Sequence, residues 1–165
     1  MRFLVLAACT AVICGCATTS TSATPFLNTD PGPKPEGYDD PGPRPDMDTL
    51  LNALASEMHS SLKDPYSVRD LRLCEPETTE AESIGAQWTP ASWKFSFALN
   101  AKNSYGAYGG MTHYLGRYRK GEVLNTLNLS DAVRRYGSGP SYDPQRFEGC
   151  RAVSDDEWLA AIDAR

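Results

Sequence analysis

The sequence predicts an α+β domain in which an N-terminal amphipathic helix packs on an antiparallel sheet of about four strands, followed by a short C-terminal helix. Three observations predict it. Between Met47 and Leu62 the apolar residues Met47, Leu50, Leu51, Leu54, Met58 and Leu62 recur at helical spacing on one face. From Trp93 to Asn100 the chain alternates, with Trp93, Phe95, Phe97 and Leu99 on one side and Lys94, Ser96, Ala98 and Asn100 on the other. Ser154-Asp155-Asp156-Glu157 forms a capping box ahead of Trp158, Leu159 and Ile162, which should dock the terminal helix.

In order, the first helix is capped by Asp46 or Asp48 and stopped by Asp64-Pro65, because the residue before proline is pushed out of the helical region. Val68 to Cys74 reads as a strand with Leu71 and Leu73 on one side. Glu75, Glu77, Glu80 and Glu82 then gather without apolar period, which predicts a solvated acidic loop; EF-hand spacing is missing, so no metal is expected there. The alternating strand from Trp93 turns through Lys102 to Gly106 and returns over Tyr108 to Tyr118, with Gly109, Gly110 and Gly116 marking bulges or close approach. Lys120-Gly121 turns into Glu122 to Leu129, completing an antiparallel meander. Ser130 caps a short helix from Asp131 to Tyr136 ended by Gly137, and residues 139–147 read as loop.

Residues 1–15 stand outside this domain. Met1-Arg2 followed by an apolar run is a signal peptide, too short to span a bilayer permanently. Ile13-Cys14-Gly15-Cys16 resembles the bacterial lipobox, which implies lipidation of Cys16, with chains such as palmitate, and a membrane anchor; three acyl chains hold firmly where one is marginal. Ala17, rather than Asp, after that cysteine implies the outer membrane, facing the periplasm, in the lipoproteins it resembles. Residues 16–46 then read as the lipidated cysteine and a disordered tether rich in Pro, Gly and Thr, ahead of a domain over residues 47–165. The tether holds a repeat, Asp30-Pro31-Gly32-Pro33-Lys34-Pro35 and Asp40-Pro41-Gly42-Pro43-Arg44-Pro45, which reads as an extended spacer or as a ligand for a proline-recognising partner. Extended at about 3.1 Å per residue, Ala17 to Asp46 reaches about 90 Å.

Of the five cysteines, Cys9, Cys14 and Cys16 belong to the leader, which leaves Cys74 and Cys150. In an oxidising compartment that even remainder predicts a disulfide, worth about 4 to 5 kcal/mol in the chain-entropy model.

A net charge of −5 argues against a nucleic-acid partner, which selects clustered Lys and Arg. No catalytic signature is present: only His59 and His113 are available, no serine sits in a nucleophile elbow, and no His or Cys pair shows zinc spacing. No cofactor is expected. The chain therefore reads as a binding module or a purely structural component of the envelope rather than a divergent hydrolase. Asn100, Lys102, Asn103, Tyr105, Tyr108 and His113, with Arg117, Arg119 and Lys120 nearby, are candidates to recognise a glycan, an anionic group or an envelope protein. The competing reading makes Asn and Gly here the residues of a demanding turn.

Leu62-Lys63-Asp64-Pro65-Tyr66-Ser67 and Asn100-Ala101-Lys102-Asn103-Ser104-Tyr105-Gly106-Ala107-Tyr108 carry a family resemblance. Over Leu62 to Tyr118 the chain resembles a group of small bacterial envelope proteins, some of them lipoproteins, that share a Leu-Lys-Asp-Pro-x-Ser element and an Asn-Ala-Lys-Asn-x-x-Gly-x-Tyr turn. Members often have cysteine in place of Ser96 and glycine in place of Ala107. The resemblance implies an envelope location and no reaction.

Overall fold

The computed structural model describes residues 30–129, 131–132 and 144–164. Helix α1 spans Met47–Ser61, and the Asp46 carboxylate caps it by accepting the Thr49 N–H at 2.7 Å. Leu50, Leu51, Leu54, Ala55 and Met58 bury one face of it. Beyond Asp64 the chain makes one 3-10 turn, Pro65–Ser67. Strands follow at β1 (Arg69–Leu73), β2 (Glu77–Thr79), β3 (Glu82–Ile84), β4 (Gln87–Thr89), β5 (Ser92–Asn100), β6 (Thr112–Arg119), β7 (Glu122–Asn128) and β8 (Arg151–Ala152), then helix α2 (Asp155–Asp163).

The meander β5-β6-β7 forms as its alternation requires, in register Phe97 to Tyr114 and Leu115 to Leu127. Phe95, Phe97 and Leu99 face α1 and α2 and form the core with Leu50, Leu54, Met58, Leu71, Leu73, Trp158 and Ile162. Gly116 is the close approach anticipated in β6. A Cβ there would stand 2.3 Å from the Phe95 ring, so the absent side chain is the space the ring fills.

The expectation of about four strands is corrected. One antiparallel sheet has six strands, ordered β7-β6-β5-β1-β8 with β2 also paired to β5, and β3-β4 forms a separate ribbon. The acidic segment read as loop supplies β2 and β3. β1 pairs with the end of β5 from Phe97 to Asn100, and β2 with its beginning from Ser92 to Lys94, so the backbone edge of β5 is used twice. Glu77 and Thr78 are exposed, so no apolar alternation announces that edge strand.

The placement of α1 as the first element of the folded unit is corrected too. Residues 30–46, expected as tether, lie as a strap against the sheet and the ribbon. In each repeat the Asp carboxylate accepts the Gly N–H two residues on, Asp30 from Gly32 at 2.9 Å and Asp40 from Gly42 at 2.8 Å. Both glycines adopt positive φ, 71° and 79°. Their carbonyls then accept tryptophan indoles, Trp88 on Gly32 at 3.0 Å and Trp93 on Gly42 at 3.1 Å. The repeat is thus two copies of one indole-binding turn. Ala91 N–H to the Tyr38 carbonyl at 2.7 Å and the Lys120–Asp40 and Arg44–Glu75 ion pairs, at 2.9 and 2.8 Å, complete the attachment.

At the other end, Ser154 and Glu157 make the expected capping box of α2. Trp158 and Ile162 dock as anticipated, but Ala161 is buried where Leu159 is only half-buried, so the buried face extends to the other side of Trp158 from Leu159. Arg151 bridges Asp48 and Glu157, each at 2.6 Å, and so joins the starts of both helices. Cys74 and Cys150 form a disulfide across 76 residues, fastening the end of β1 to the chain entering β8. The leader, Cys16, the tether as far as residue 29, Ser130 and the expected helix beyond residue 132 lie outside the described residues. Within the expected loop of residues 139–147, Pro144–Phe147 is a 3-10 turn.

Candidate functional site

The turn between β5 and β6 is built from its own backbone outward. Asn103 accepts at Oδ1 from the N–H groups of Tyr105 at 2.9 Å and Ala107 at 3.2 Å, and its backbone exchanges further bonds with Ala107 and Gly106. Lys102 and Tyr108 pair across it as an isolated bridge, and Gly106 takes φ 79°. Asn103 is therefore a turn-forming residue. Asn100 stands half-buried at the end of β5, its Oδ1 without a partner among the described residues.

A second segment supports this tip. The Ser67 hydroxyl donates to the Asp64 carbonyl at 2.7 Å and accepts the Lys102 N–H at 3.0 Å, so the Leu-Lys-Asp-Pro-x-Ser element and the Asn-Ala-Lys-Asn turn meet here. Lys63 Nζ reaches the Ser104 carbonyl at 3.4 Å. The Arg69 guanidinium and the Lys102 ammonium lie 5.6 and 5.8 Å from the Tyr108 ring centre. A bulge between Arg69 and Arg72, with Asp70 at φ 56°, re-aims the start of β1 here.

The outcome is an open surface of aromatic rings among cations. Tyr105 is 94% exposed, Tyr66 55% and Tyr108 39%, so packing accounts for little of the first two. Of the residues singled out from sequence, Lys102, Asn103, Tyr105 and Tyr108 come together here. Lys63, Tyr66 and Arg69 were missed; the Leu-Lys-Asp-Pro-x-Ser element contains the first two, while Arg69, two residues beyond it at the start of β1, carried no signal of its own.

Arg117, Arg119 and Lys120 leave the site. They lie at the far end of β6, where Arg117 pairs with Glu82 at 2.6 Å, Arg119 donates to the Gly37 carbonyl at 2.6 Å, and Lys120 holds Asp40. His113 leaves as well: it stands opposite Ala98 on the sheet face turned from the helices, 2% exposed, with its ring edge-on to Phe147 at 4.9 Å. Burial, and then the nearby Arg146 guanidinium, hold its imidazole below the usual histidine range.

A depressed histidine stabilises the fold above its unfolded pKa, about 6.5, and that contribution is lost as pH falls through the folded value. Melting temperature should therefore drop between about pH 7.5 and 5.5, and His113→Phe should narrow the drop. Equal drops in both proteins would refute this. Asp40, bonded by Lys120, Asp46, bonded by Thr49, and Glu157, bonded by the Ser154 N–H and held at about 2, add their own losses only below about pH 4.5.

Among the described residues no three His, Cys, Asp or Glu side chains gather as a metal site requires, and no helix is long and apolar enough to cross a membrane. Compared with protein-family models, curated proteins and solved structures, the chain has no match.

Proposed function

We propose that this protein is a lipid-anchored module of the bacterial cell envelope that binds an acidic glycan at the β5–β6 tip. The observation that carries the reading is Tyr105, almost wholly exposed on a turn whose backbone is held by Asn103 and Ser67. An aromatic ring that packs on nothing, presented rigidly among Lys63, Arg69 and Lys102, suits sugar faces and their carboxylates. The anchor rests on the lipobox-like Ile13 to Cys16. With the strap attached from Asp30 onward, the residues Ala17 to Thr29 span at most about 45 Å at about 3.4 Å each. That is about half the reach of the full tether, which favours a partner close to the membrane.

Tyr105→Ala and Lys102→Ala should leave stability within about 0.5 kcal/mol of the parent and abolish retention on purified envelope glycan. Asn103→Ala should instead cost about 1 to 2 kcal/mol, because two N–H groups lose their acceptor. Retention unchanged in the first two variants would leave a structural role for the tip. Crosslinking in cells from residue 104 distinguishes glycan from protein partners, and loss of palmitate label in Cys16→Ser tests the anchor.

A further inference from the structure

The sheet face turned from the helices carries a second polar cleft of about 370 Å³, apart from the hairpin tip. Lys94 and Ser96 of β5, His113 of β6, Glu77 of β2, and Arg146 and Phe147 of the 3-10 turn line it, and the Cys74–Cys150 disulfide forms part of its wall. His113 is the buried element: both Nδ1 and Nε2 lack a hydrogen-bond partner among the described residues. Buried polar atoms are nearly always satisfied, so a cleft-lining imidazole with donor and acceptor both unmet points to a ligand.

Charge narrows its class. Lys94 and Arg146 line the cleft together with Glu75 and Glu77, but Glu75 is held from outside by Arg44 at 2.8 Å. Glu77 stands directly opposite Lys94 in the β2–β5 register, which leaves Arg146 as the uncompensated charge among the described residues lining the cleft. With the imidazole neutral, the lining carries two positive and two negative charges, and Arg44, pairing with Glu75 from outside the cleft, brings the group to one positive charge in excess. Leu115 and Phe147 supply an apolar wall.

We propose that this cleft binds a small organic monoanion, its carboxylate held between Arg146 and the ring N–H of His113 and its apolar part laid against Phe147 and Leu115. The neutral imidazole donates one hydrogen bond without adding charge, and the guanidinium supplies the countercharge in a fork suited to a carboxylate.

The test uses the full, disulfide-bonded chain with labelled histidine, the His113 ring signals being those lost in His113→Gln. Acetate, isobutyrate and phenylacetate are titrated, with phenylacetamide as the uncharged counterpart. Saturable shifts of the His113 ring are expected with at least one carboxylate and none with the amide. Arg146→Ala should weaken binding at least about tenfold and Arg146→Lys less, while Tyr105→Ala leaves it unchanged. No saturable shift with any of the three acids, equal shifts with the amide, or unaltered binding by Arg146→Ala would each overturn the proposal. Because the tip is varied separately, failure here leaves the glycan reading standing, and the reverse also holds.

Discussion

Replacing Cys74 and Cys150 together by serine is expected to lower the unfolding free energy by about 4 to 5 kcal/mol. The bond closes a loop of 76 residues that contains β2 through β7, so the unfolded chain gains the freedom of the whole meander when it is cut. In the folded state the same bond holds the short β8 against β1, where Arg72–Ala152 and Leu73–Arg151 pair and the Val153 N–H donates to the Leu71 carbonyl at 2.9 Å. A domain of this size has about 5 to 15 kcal/mol in total, so the double variant should melt far earlier. Denaturant unfolding of the parent and the variant, without reductant, measures the difference. Coincident midpoints with equal slopes would show that the crosslink does not constrain the unfolded chain.

The elements legible in the sequence are those whose side chains alternate or recur on one buried face. Phe95, Phe97 and Leu99 marked β5, Leu50, Leu54 and Met58 marked α1, and Ser154 with Glu157 marked the start of α2. The elements without such a pattern are held by backbone groups. β2 shows the solvent Glu77 and Thr78 while its main chain pairs with Trp93 and Lys94, and the strap presents glycine carbonyls to Trp88 and Trp93. A proline-rich repeat therefore reads as a spacer although the fold uses it as a clasp. Sheet geometry also separated residues that are close in the chain. His113 lies five positions from Tyr108, yet its place opposite Ala98 sends it to the reverse face, and the β6 residues alone, apolar and polar on both sides, do not indicate which face is which.

Trp158→Ala is expected to cost about 3 to 5 kcal/mol, the range for truncating a fully buried aromatic side chain. Trp158 is 1% exposed in the core between α2 and α1, and its indole N–H donates to the Pro65 carbonyl at 2.8 Å. That bond begins a chain leading to the candidate site: Pro65 opens the turn in which Ser67 binds Asp64, and Ser67 in turn receives the Lys102 N–H at 3.0 Å. Trp158→Phe separates the two contributions, because it keeps much of the volume but leaves the Pro65 carbonyl without its donor, a loss of about 1 to 3 kcal/mol. If the turn positions the tip, the Phe variant should also weaken glycan retention while remaining folded. Amide exchange at Lys102 should then rise in the variant, because freeing Pro65 loosens the Ser67 hydroxyl that shields it. Full retention together with unchanged exchange at Lys102 would show that the tip is ordered by Asn103 and its neighbours alone, and the terminal helix would then be a stabiliser of the core without influence on binding.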